Sequence, residues 1–439
     1  MKKFISILIT LSVVLSTGCT KFNTELDKKL SYDQWVEDID FFSKELKIRH
    51  PNLYLNISES EFDKNINNLK NNINHMSDVE VSINLEQILS RLKDAHTDIS
   101  LIEMITPPGE AKNYDDMKVF PIKYKWFDDG LRVYSCDSKH KEILGLKLLS
   151  INDIELNEII KKVSTTYSYD NNAGLKSGIT KYISVYEILK FLDIVDNNSA
   201  KFVFEKDNGD EYSINLNTMD FKNVNYINLS TLIQNESEIS TKPTGSYDDY
   251  WFKYIEKDNI LYFQYNKCIN NNSYWLTDEE KRKAPDFYKF VDDLITSINS
   301  NSFDKFVIDL RNNPGGTIGL TNYLLIELEG LTDIKQNAKT YVITSENTFS
   351  AATQAVVDIA NNLDAVVVGT ETGSNVNMTT IRDNNFQLPN SKITVNCSKD
   401  FINKIPGYKG GYKPDIQIEP NFKNYINGLD DCYEFIKNN

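Results

Sequence analysis

Phe306-Val-Ile-Asp-Leu-Arg-Asn-Asn-Pro-Gly-Gly316 is a short apolar run that ends in Arg311 and a Pro-Gly-Gly turn. A run of this length, bounded by turn residues, reads as a buried strand. The helical pattern at 318–329 follows it directly. Other β-branched or aromatic runs lie at 260–265, 341–344 and 365–369, with helical patterns at 288–298 and 351–361 between them. Buried strands alternating with helices are an α/β signature, so 250–439 reads as one α/β block.

The same stretch carries chemistry. Adjacent glycines let backbone N–H groups approach a ligand without side chains in the way, as an oxyanion-hole donor must. A plain strand-to-helix turn would use the same residues. Downstream, Tyr341-Val-Ile-Thr-Ser-Glu-Asn-Thr-Phe-Ser350-Ala-Ala-Thr-Gln354 again runs from strand to loop to helix. A serine at a helix start faces unpaired N–H groups and the positive end of the dipole. Ser350 could attack a carbonyl there, with the Ala351 N–H as a second oxyanion donor. Serine is also a preferred helix cap, and the residue type alone does not choose. A third piece is Leu92-Lys-Asp-Ala-His96-Thr-Asp98. His96 is placed to act as a general base or to sit as an ordinary surface or capping residue.

Upstream, 32–95 reads as helices, with a capped start at Ser31 and a stop at Pro51. Patterns at 59–73 and 78–92 are amphipathic. The stretch 106–127 reads as loop. From 118 to 216 the pattern is mixed: a strand at 131–135, strand-turn-helix across 145–163, and a hairpin around Asp207-Asn208-Gly209-Asp210. The polar segment 218–249 reads as a linker.

The chain has 439 residues with 48 Lys+Arg and 63 Asp+Glu, a net charge of −15. Acid in excess of base argues against nucleic acid as a partner. Only four histidines are present (His50, His75, His96 and His140), which narrows any imidazole chemistry. Met1–Lys3 carries two lysines, and a dozen apolar or small residues follow, too few for a membrane span and suited to a signal peptide. Leu15-Ser-Thr-Gly-Cys19 resembles the bacterial lipoprotein cleavage box. Ser16 departs from its usual apolar residue, and an ordinary secretory signal cut near Gly18 is the alternative. Lipid on Cys19 would anchor the chain at the extracytoplasmic face of a bacterial membrane. Cys136, Cys268, Cys397 and Cys432 show no metal spacing and read as buried thiols, with one disulfide open if the compartment is oxidising.

Taken together, the pieces resemble the tail-specific (C-terminal-processing) serine peptidase family, which includes the tricorn branch and retinoid-binding relatives. The NNPGG at 312–316, TFSAA at 348–352, VVVGTETG at 366–373, LPNS at 388–391 and KPDIQIEP at 413–420 follow the family's order. The DAHT at 94–97 is similar to its Asp-Gly-His-Thr segment. The resemblance implies a multidomain α/β and α+β chain. Its parts would be a signal peptide at 1–18, a helical region at 19–110, a PDZ-like module at 111–220, a linker at 221–249 and a crotonase-like catalytic domain at 250–439. It implies endopeptidase activity through an acyl-enzyme on Ser350, with oxyanion donors at Gly315, Gly316 and Ala351. A polypeptide is the implied substrate, and no metal or organic cofactor is needed. One branch uses a lysine about 25 residues after the serine; that position is Asn375, and no lysine occurs before Lys392. The other branch uses the histidine, which points to His96. Its supporting glutamate aligns with Tyr408, so Tyr408, Glu371 and Asp415 are the candidates for orienting the ring. The rival expectation is a surface lipoprotein that keeps this fold, lacks activity and binds peptide or lipid.

Overall fold

The computed structural model describes residues 29–233, 249–329, 331, 338–380 and 384–439. The signal peptide and Cys19 lie outside these residues, as does 234–248 of the expected linker.

The 250–439 block is built on a six-stranded sheet in the order Tyr250–Ile255, Ile260–Tyr265, Lys305–Asp309, Lys339–Thr344, Val366–Gly369, Ile416–Gln417. Its first pair is antiparallel and every later pair is parallel. The apolar run at 306–308 has a simple cause. Phe306 and Ile308 face one core with helices Phe287–Ser300, Leu320–Glu329 and Ala351–Leu363. Val307 faces a second core with Tyr262, Tyr341 and the helix Asp431–Asn438. A strand covered on both faces must be apolar at every position. Burying each such side chain stabilises the fold by about 1.5–3 kcal/mol.

Helices Tyr32–Arg49, Glu59–Asn72 and Asp78–Ser90 form the N-terminal region, and Ser31 and Ser77 close capping boxes. They share one continuous core with the middle sheet. That sheet runs Tyr226–Asn228, Gly130–Asp137, Lys147–Ile151, Ser199–Glu205, Glu211–Asn217, and Ile122–Phe127 also pairs with Gly130–Asp137.

Three expectations need correcting. Ile122–Phe127, read as loop, is a strand, because its alternation buries Ile122 and Tyr124 on one face. The segment from 219 to 233, read as linker, is ordered: Met219–Asp220 pairs with Lys118–Val119 and Tyr226–Asn228 with the Cys136 strand. The 250–439 stretch is not self-contained. Its residues 386–397 cross to the N-terminal core, where Thr394–Asn396 pairs antiparallel with Asp98–Ile99. The LPNS turn docks there too, as the Asn390 and Ser391 N–H groups donate to buried Asp38 at 2.7 and 2.8 Å. That crossing holds the His96 segment against the six-stranded block. All four described cysteines are free thiols. No described helix is long and apolar enough to cross a membrane.

Candidate active site

Ser350 ends the loop between strand Lys339–Thr344 and helix Ala351–Leu363. It occupies the cap position of that helix, yet its side chain makes no cap bond. Its backbone has φ 54° and ψ −122°, a region that costs a non-glycine residue about 1–3 kcal/mol. The surroundings hold it there. The Ser350 N–H donates to Ser374 Oγ at 2.8 Å, and Ser374 Oγ donates to Thr353 Oγ1 at 2.8 Å. The Phe349 N–H donates to the Asn313 carbonyl at 2.9 Å, and Thr348 Oγ1 to the Leu310 carbonyl at 2.9 Å. The loop therefore leans on the 306–316 stretch, and the Ser350 hydroxyl is left for another use.

Gly315 shows how close the lean is. A Cβ there, at φ +97°, would lie 2.8 Å from Ser350 Cβ and 2.9 Å from the Ala351 nitrogen. The turn assigns its amides unequally. The Gly315 N–H donates to Asn313 Oδ1 at 2.8 Å, so Gly315 is not a free oxyanion donor as expected. Cys268 then pairs with Gly315 and Thr317, using the Gly315 carbonyl (3.0 Å) and the Thr317 N–H (2.7 Å). In that parallel bridge the Gly316 N–H is turned away from Cys268 and has no backbone partner among the described residues. The Ala351 N–H, first in its helix, has no intrahelical partner.

His96 arrives from the N-terminal region. Its Nε2 lies 3.0 Å from Ser350 Oγ, across 254 positions of sequence. The ring is 5% exposed and stacks on Phe349 with centroids 4.9 Å apart. Its segment is tied down by Asp94, whose carboxylate accepts from the His96 N–H (3.0 Å), Thr97 Oγ1 (2.8 Å) and Thr379 Oγ1 (2.5 Å). Asp94 also contacts His50 Nε2 at 2.8 Å. Burial pushes the Asp94 carboxyl up, but bonds from His50 and Thr379 and the His96 charge outweigh it and hold it well below the usual range.

The three orienting candidates are engaged elsewhere. The Tyr408 hydroxyl accepts from the Lys413 N–H at 3.1 Å, Glu371 from the Gly411 N–H at 2.8 Å, and Asp415 from the Val367 N–H at 2.8 Å. His96 Nδ1 is buried with no hydrogen-bond partner among the described residues. The charges acting on the ring come instead from Asp94, Asp98 and Asp170. Asp170 went unread in the sequence. It accepts from the Ala95 N–H at 2.7 Å and the Asn375 N–H at 3.0 Å, joining the His96 segment to the loop after strand Val366–Gly369. Burial pushes its carboxyl up, with the His96 charge opposing. Asn375, the position that the resemblance aligns with a lysine base, thus donates its backbone N–H to Asp170, and its Oδ1 accepts from Asn171 Nδ2 at 3.2 Å.

No protein-family model matches the chain, and no curated protein does. Solved structures do. Mature CPAF complexed with lactacystin is similar over 92% of this chain and 98% of its own, with 12% identity and a TM-score of 0.64. Mature CPAF alone gives 13% identity, 92% and 96% coverage and 0.63. The tricorn protease gives 13% identity, 93% of this chain against 36% of its own, and 0.44. The likeness to CPAF is one of fold: a mixed α/β multidomain architecture shared over nearly the whole chain.

Proposed function

We propose that this chain is a serine peptidase that cleaves polypeptides through an acyl-enzyme on Ser350. The observation that carries the reading is the 3.0 Å approach of His96 Nε2 to a Ser350 hydroxyl that its own helix does not use. A serine that only capped its helix would bond the next turn and would have no reason to sit in a strained backbone.

His96, with its proton on Nδ1, takes the Ser350 proton on Nε2 as Oγ attacks the peptide carbonyl. The carbonyl π-bond breaks toward oxygen, and the Gly316 and Ala351 N–H groups receive the oxyanion. The imidazolium returns the proton to the leaving amine, and water repeats the sequence to release the acid. Among the described residues no carboxylate bonds Nδ1 directly. The buried carboxylates of Asp94, Asp98 and Asp170 interact electrostatically with His96 and would favour the imidazolium. The assignment includes a crotonase-like catalytic domain and a PDZ-like middle module. It also places the mature chain at the extracytoplasmic face of a membrane, lipid-anchored through Cys19.

The test is labelling with a fluorophosphonate, followed by peptide cleavage. Labelling should vanish in Ser350→Ala and fall steeply in His96→Ala, with cleavage lost and melting unchanged in Ser350→Ala. Cleavage that persists in Ser350→Ala would sink the reading. Absence of labelling in the parent chain would favour a binding protein on the same fold.

A further inference from the structure

A second cavity, of about 240 Å³, lies between the middle sheet and the C-terminal ends of the catalytic strands. Tyr124, Lys125 and Tyr134 wall it on one side, and Arg311, Tyr425 and Asp430 on the other. Neither Ser350 nor His96 lines it. Crevices at strand C-terminal ends are the usual ligand sites of open α/β sheets.

Its acids and its donors differ in one respect. The acids have partners. Asp309 and Asp430 flank Arg311 at 2.7 and 2.6 Å, and Asp431 accepts from the Asn421 N–H at 2.7 Å and Asn424 Nδ2 at 2.5 Å. The donors are less well matched. The Tyr124 hydroxyl is buried with no hydrogen-bond partner among the described residues. The Tyr134 and Tyr425 hydroxyls are buried and interact only with each other among the described residues, which leaves one donor of the pair over. Tyr124 and Tyr425 are only 5% and 4% exposed. Half-buried Lys125 feels the charges of Glu346, Arg311 and Asp430, but no ion pair or hydrogen bond holds its ammonium among the described residues. Buried polar groups are nearly always bonded, so an unmatched Tyr124 hydroxyl, a tyrosine pair with a donor to spare and an unmatched cation around one cavity point to a ligand.

We infer that this cavity binds a small organic carboxylate with an apolar body, its oxygens held by Lys125 and the tyrosine hydroxyls. Unmatched donors call for an acceptor, and the cation favours an anion. The three phenol rings and neighbouring Ile418 and Leu429 suit an apolar body. A dianion such as phosphate fits less well, because it would meet Asp430, Asp431 and Glu346 around the same walls. The inference does not depend on the peptidase reading.

The test is calorimetric titration of the full chain with benzoate and hexanoate, against benzyl alcohol and inorganic phosphate. Saturable binding of a carboxylate is expected, at least tenfold tighter than either control. It should weaken tenfold or more in Lys125→Met, weaken severalfold in Tyr124→Phe and stay unchanged in Ser350→Ala, whether or not the chain cleaves peptides. Without ligand, Lys125→Met and Tyr124→Phe should melt no lower than the parent. If Lys125→Met does not fold, Tyr124→Phe decides, since it removes one oxygen only. Absence of saturable carboxylate binding overturns the inference. So does equal binding of benzyl alcohol, tighter binding of phosphate, or affinity unchanged in Tyr124→Phe.

Discussion

Ser350 and His96 meet at 3.0 Å, but the two sides of that contact are built in opposite ways. The Ser350 side is local: Asn313, Gly315, Phe349 and Ser374 lie within one sheet and its loops, tied by backbone amides that donate to a neighbouring carbonyl and to uncharged side-chain oxygens. The base side is assembled from His50, Asp94, Asp170, Asn375, Thr379 and Ser398, residues from distant parts of the chain joined by buried carboxylates and hydroxyls. A contact built this way should lose the placement of His96 before that of Ser350 when conditions worsen. Hydrophobic strands hold Ser350 at any pH, whereas charged groups hold His96.

The strongest way to break this contrast is Asp94→Ala. It strips partners from His50, His96, Thr97 and Thr379 at once, and breaking a buried pair costs about 3–5 kcal/mol. Melting temperature and labelling of Ser350 should fall together. A variant that melts like the parent would refute the idea that Asp94 holds the base side. The pH dependence follows from the same residue. Its folded carboxyl sits below the ordinary 3.8, so its contribution is complete above that value and is lost as pH falls through the lower folded value. Acid unfolding should therefore expose the 94–98 segment to hydrogen exchange before strand Lys305–Asp309.

On the nucleophile side the matching change is Gly315→Ala. The new methyl would meet Ser350 Cβ at 2.8 Å with φ at +97°, so strain and overpacking should cost about 2–4 kcal/mol. Labelling should drop far more than in a surface glycine variant such as Gly209→Ala, whose Cβ meets nothing within 4 Å. Equal labelling of the two would remove Gly315 from the account. Asp170→Asn is gentler. Asparagine keeps one acceptor of the two that hold Ala95 and Asn375, and its charge on His96 is gone. Turnover should fall about tenfold at unchanged KM, near 1.4 kcal/mol. Asp170→Glu should restore part of it, and a drop confined to KM would mark a substrate contact instead.

The same contrast explains what the sequence shows. The 306–316 and 341–354 stretches are contiguous, so strand, turn and Ser350 can be read directly. Whether Ser350 caps its helix depends on a backbone angle and a long-range neighbour, neither of which is written locally. Asp170 sits in Tyr-Ser-Tyr-Asp-Asn-Asn, which carries no pattern, and it matters only because Ala95 and Asn375 converge on it. The resemblance aligns Tyr408 with the supporting glutamate and leaves Glu371 and Asp415 as the other candidates, and the fold turns Tyr408 and Glu371 toward the 411–413 backbone instead. The prolines at 107, 108 and 121 hide the strand Ile122–Phe127, although its alternation is visible once the core face is known.

The smallest expected effect probes the outermost layer of the base side. Glu86 is fully buried, accepts from the Ile99 N–H at 2.7 Å and Ser168 Oγ at 2.9 Å, and is pushed well above 4.5 by burial and then by Asp98. An acid whose folded value exceeds its unfolded one keeps its proton longer in the native state. Stability is then greatest below 4.5 and declines as pH rises toward the folded value. Glutamine imitates the protonated acid, and the Ser168 hydroxyl can turn to accept from its amide. Glu86→Gln should therefore flatten that decline and gain about 1 kcal/mol at mildly alkaline pH. The measurement is a melting curve from pH 4.5 upward for parent and variant. Parallel curves would mean that Glu86 ionises as freely in the fold as in the open chain. The charge layer behind Asp98 would then contribute nothing to how His96 is held.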